Sequence, residues 1–192
     1  LVKPKTILIL GSLVAMVACE RPAAPTSASA AASYNLTAYL EQQTARLQKE
    51  QPMVLKSVTT QKQQTETIET TNLDWTDELA IFRDVDLSRP ALREFYTETS
   101  TELPNGHTQV LYTKSETSAA PVQYLQLHLS PSQKLQRLEA LVLDENILFY
   151  SRRKVVLTTD PQENGNISSY RIEGTQKLIF SDSLHYNIIA NL

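Results

Sequence analysis

The chain has 192 residues, 41% hydrophobic and 20% charged, with 18 basic against 21 acidic side chains and a formal net charge of −3. An acidic chain lacks the counterion-release drive that nucleic-acid binders use, so nucleic acid is excluded as an expected partner. With a single cysteine there is no internal disulfide and no thiolate metal cluster, and a folded body must be held by burial and strand pairing.

Lys3 and Lys5 precede an apolar run from Ile7 to Ala18, and the run closes on Met16-Val17-Ala18-Cys19. It is too short for a hydrocarbon core that needs ~20 residues, and it has the charged start and small final residue of a secretory signal. The pattern resembles the lipobox of bacterial lipoproteins, with Met16 where Leu is most common. That resemblance implies a diacylglyceryl thioether on Cys19, cleavage before it by signal peptidase II, and acylation of the new amine by a fatty acid such as palmitate. Residues 1–18 are therefore expected to be a removed signal peptide and a membrane the first partner. Leu1 in first position is what a non-AUG start codon or a clipped fragment would give, and the motif stands under either. In lipoprotein families an Asp after the cysteine commonly marks inner-membrane retention, so with Glu20 there and no acidic cluster the resemblance implies an outer-membrane, periplasm-facing address.

Glu20 to Ala32 is small, polar and interrupted by Pro22 and Pro25, so residues 19–32 read as lipidated cysteine plus tether, with a coil reach of roughly 20 Å. Residues 33–192 are expected to form one domain. Ser33 can cap a first helix with Leu36, Tyr39, Leu40 and Leu47 on one side, ending before Pro52. Met53–Thr60 and Thr65–Thr71 read as two polar strands, expected at a sheet edge. Asp74 can cap a second helix reaching to Asp86, with Trp75, Leu79 and Phe82 facing the sheet, and Pro90 opens a further short turn.

A meander follows. Strands are expected over 95–102, 109–115, 122–129, 134–143, 147–158, 167–180 and 184–190, separated by turn signals such as Pro104-Asn105-Gly106 and Ser181-Asp182-Ser183. In the third of these Leu125, Leu127 and Leu129 alternate with Gln126 and His128, so one face is wet. In the fourth, Leu135, Leu141 and Leu143 are expected on one face and Leu138, Ala140 and Val142 on the other. Gly174 marks an expected bulge or bend. The sum is α+β: a curved antiparallel sheet of about nine strands, a half-barrel, with two helices from the N-terminal half laid on its concave side.

Little in the sequence carries chemistry. His107, His128 and His185 lie apart with no metal-ligand spacing, and neither GxSxG nor SxxK occurs. Asp74, Asp77, Glu78, Asp84 and Asp86 are dense, but helix capping and the helix dipole account for them without a metal. Arg152 and Lys154 would share one face of a strand, where they protect it from strand addition or meet an anion. No catalytic residue, metal or cofactor is expected. The arrangement resembles a small uncharacterised class of envelope lipoproteins, and at the level of topology the half-barrels of lipoprotein-localisation carriers and their acceptor, which enclose acyl chains. That likeness implies a non-enzymatic envelope protein with a hydrophobic guest between helix and sheet, bound by Trp75, Phe82, Leu125, Leu127, Phe149 and Phe180. The alternative is a filled core with an envelope protein as partner, docked through a strand edge or loop.

Overall fold

The computed structural model describes residues 34–60 and 64–192. Cys19, the tether and Ser33 lie outside the described residues. Helix α1 (Leu36–Glu50) is capped by Asn35, whose side chain accepts the Ala38 N–H at 3.0 Å, and it stops at Gln51, which takes a left-handed conformation (φ 43°) and returns its N–H to Leu47 O. Leu36, Leu40, Gln43 and Leu47 form its buried stripe at alternating four- and three-residue steps.

Strands β1 (Val54–Thr60) and β2 (Thr65–Thr70) form a hairpin. Asp74 caps the next helical segment as expected, accepting from Thr76 N–H at 2.8 Å. That segment is two short helices, α2 (Trp75–Glu78) and α3 (Ala80–Asp84), broken at Leu79, and Asp86 lies beyond the second. A 3₁₀ turn (Pro90–Phe95) leads into β3 (Tyr96–Glu102). The meander continues through β4 (Thr108–Lys114), β5 (Val122–Leu129), β6 (Leu135–Glu145), β7 (Phe149–Asp160), β8 (Asn166–Leu178) and β9 (Leu184–Asn191).

Among the described residues nine strands join one antiparallel sheet in the order β2-β1-β9-β8-β7-β6-β5-β4-β3, with β2 and β3 at its edges. The α+β reading with a curved nine-stranded sheet holds. One placement differs from expectation: β1 is internal, because it pairs with β9 from Leu55↔Asn191 to Thr60↔Tyr186. Its polar sequence suggested an edge, but β1 is flanked on both sides, and of the two strands only β2 has an open edge. Gly174 is in continuous register with Arg153 and Tyr186, and a Cβ there would collide with the Tyr186 ring. Its role is to admit an aromatic cross-strand neighbour rather than to bend the strand.

The helices cover one sheet face. Rungs such as Val110-Leu127-Leu138-Leu157-Tyr170-Ala190 run across that face and are buried throughout. Leu135 is buried on the same face as Leu138 and Ala140, contrary to simple alternation, because the β5–β6 register shifts between His128 and Leu129. The bulge adds one residue and so turns Leu135 to the helix side. Each fully buried Leu of this layer contributes roughly 1.5–3 kcal/mol.

Candidate functional site

Of the six residues expected around a guest, Trp75, Phe82, Leu125 and Leu127 come together, and all four are at most 1% exposed within one hydrophobic core. Leu36, Leu40 and Leu47 of α1 belong to the same core, so the space beneath the helices is occupied by side chains. Phe82 meets Tyr170 edge-on at 5.9 Å between ring centroids. The polar groups of this layer are also used. Lys56 Nζ lies 2.6 Å from Glu78 Oε1, and the Tyr170 hydroxyl donates to the same oxygen. Burial, then the hydrogen bond and charge of Glu78, push the Tyr170 hydroxyl far up, so it stays a neutral donor. Asp86 is buried and accepts from Thr37 Oγ1, Ser88 N–H and Ser88 Oγ. Trp75 Nε1 is the exception, a buried donor without a partner.

The acidic residues of this region are therefore divided among cap, ion pair and loop clasp instead of converging. Among the described residues no three His, Cys, Asp or Glu side chains are placed to hold a metal ion. Nor is any helix among them long and apolar enough to cross a membrane.

Among the described residues no helix covers the opposite face of the sheet. A depression of about 280 Å³ lies on it between Arg137, Lys154, Arg171 and Glu173. Each cation there lies beside a carboxylate, two of them beside the same one: Lys154 and Arg137 reach Glu139 at 2.8 and 3.1 Å, and Arg171 reaches Glu173 at 3.5 Å. Partial burial works against the charged form of Glu139, but hydrogen bonds from Lys154, Arg137 and Tyr124 outweigh it and hold its carboxyl down at about 2. Two carboxylates thus stand against three cations, and Glu139 serves two of them, so the groove keeps one net positive charge. Arg152 and Lys154 do share this face, in register with Leu143 and Leu141 of β6.

A second cleft, about 330 Å³, lies where α1 begins. Tyr34 and Tyr39, 6.3 Å apart, stand beside the turns before β6 and before β8, and the Tyr39 hydroxyl donates to Gly165 O at 3.0 Å. Burial raises the Tyr34 hydroxyl to about 12 against the lowering effect of a backbone hydrogen bond from Leu135. Both rings fasten the helix start to the sheet.

Apolar surface is concentrated at the other end of the strands. Of the ten large apolar side chains exposed among the described residues, Ile147, Leu148, Leu178, Ile179, Phe180 and Leu184 all belong to the β6–β7 and β8–β9 turns or the strand ends beside them. Ile147 and Phe180 are 90% and 94% exposed. The two tips are joined: Phe149 pairs with Leu178, and Ile179 N–H donates to Leu148 O at 3.0 Å. Asn146 shapes the first tip by accepting Leu148 N–H at 2.9 Å and donating its own N–H to Phe149 O at 2.8 Å. Phe149, half-buried, and Phe180 thus belong to this tip cluster and not to the core that holds Trp75.

The sequence carried a signal for this surface. Ile147-Leu148-Phe149 and Leu178-Ile179-Phe180 are consecutive apolar triplets at strand ends, where a strand with one wet face should alternate. No family model, curated protein or solved structure matches the chain.

Proposed function

We propose that this chain is a lipid-anchored protein of the bacterial envelope, facing the periplasm from the outer membrane, whose α+β domain is a non-enzymatic docking module. The observation that carries the reading is the division of its apolar residues. Beneath the helices they make a filled core, while a second set is displayed on two joined hairpin tips. An exposed apolar cluster of this kind marks a contact surface. The Lys3/Lys5, apolar-run and Cys19 pattern supports the anchor.

A hydrophobic guest in the interior is the second reading, and the unpartnered Trp75 Nε1 is the observation in its favour. Native mass spectrometry of the purified protein separates the two. The docking module gives the mass of the chain plus its acyl groups alone; a co-purifying guest that is lost on enlarging Leu125 or Leu127 contradicts it. The anchor is tested by mass analysis of the sulfur at Cys19, which is expected to carry a diacylglyceryl group; an unmodified thiol contradicts it.

A further inference from the structure

We propose that the joined β6–β7 and β8–β9 tips enter a lipid bilayer. This names the partner class for the docking reading above and rests on it. A protein interface of standard size draws on ~20–30 residues a side, whereas the tips offer six exposed large apolar side chains on two protruding turns. Their order in depth fits a bilayer. The segment from Asn146 to Phe149 carries no charge, nor does that from Leu178 to Ser181, and Asp182 is the one charged residue in the two turns. One rung behind Phe149↔Leu178 lies the pair Tyr150↔Lys177, and two rungs further back is Arg152↔Thr175. An apolar tip backed by Tyr, Lys and Arg is the layering that places aromatic and cationic groups at headgroup level with apolar side chains below. Glu145, beside Tyr150 on β6, faces the same level and limits the preference for anionic lipid. Tyr34 sits at the other end of the strands, beside Gln133 and Asn164, so an N-terminal anchor and the tips are separable by mutation.

The test uses the chain from position 19 onward carrying Cys19→Ser, so that neither the apolar run 7–18 nor an acyl group holds it to lipid, mixed with vesicles of phosphatidylethanolamine and phosphatidylglycerol and floated on a density gradient. The chain is expected to float, and adding Leu148→Glu with Phe180→Glu is expected to lower the bound fraction at least tenfold without moving the circular dichroism spectrum or melting midpoint. A tip-specific readout comes from the emission of Phe180→Trp less that of its parent, which carries Trp75 alone; this difference should shift to the blue with vesicles and be quenched by brominated acyl chains. Unchanged emission overturns the proposal, whatever the rest of the chain does. So does a tip variant that converts a dimer to a monomer without affecting flotation, which would assign the surface to a second copy. If the tips bind while the native sulfur at Cys19 proves unmodified, the anchor falls and the tips stand; if Cys19 is acylated and the tip readout is silent, the reverse holds.

Discussion

Gln43 does the work of a backbone strand partner from within a helix. Its Oε1 accepts the Ile167 N–H at 3.1 Å and its Nε2 donates to Asn166 Oδ1 at 3.2 Å, so α1 is clamped to the start of β8. Gln43→Leu leaves a buried N–H unpaired, and the expected loss is about 1–3 kcal/mol, read as a lower denaturant midpoint at constant m-value. Glu139 gives a pH signature. Its folded pKa, about 2, lies below the ordinary carboxylate value. Its contribution to stability is therefore present above the unfolded value near ~4.3 and is lost as pH falls toward 2. Glu139→Gln should flatten the stability–pH curve in that window, and an unchanged acid limb would show that the three donors around Glu139 are not what sets it. Neither role was legible in the sequence. Gln43 looked like one more polar residue of a helix, and the convergence on Glu139 exists only once β5, β6 and β7 lie side by side.

At the scale of elements, period-two alternation located the strands well, because a sheet with one covered face must alternate. It failed where an extra residue intervened, as at Leu135, since a bulge changes parity without a sequence signature. The second helix was legible from the Asp74 cap and the Trp75, Leu79, Phe82 spacing, but not its break at Leu79. The polar character of β1 was misleading for a similar reason: β9 closes on it from the far end of the chain. Both true edges are rich in Thr and Glu, with Glu66 and Glu69 on β2 and Glu98 and Glu102 on β3. Like charge at both ends opposes edge-to-edge pairing of copies. Glu98→Val with Glu102→Val should promote association, seen as larger species in sedimentation at low salt. The same two substitutions on the open sheet face would not be expected to do so.

For the whole molecule, pairing of β1 with β9 ties the two ends of the domain together. Such long-range closure puts folding in the slower range for domains of this class. It also leaves a rigid sheet with its two ends differently equipped: helix start, tyrosines and amide side chains at one, apolar turns at the other. The guest-binding expectation joined Phe149 and Phe180 to Trp75 because apolar residues were counted without knowing which turn carried them. Three dimensions separate them into a core and a tip, and that separation is why the docking surface is proposed at the end of the sheet and not in the interior. Hydrogen–deuterium exchange on the full chain, with and without bilayer vesicles, tests this most directly. New protection is expected to be confined to residues 146–150 and 178–184; protection that appears in α1 and α2 while those two segments exchange as before would overturn the tip assignment.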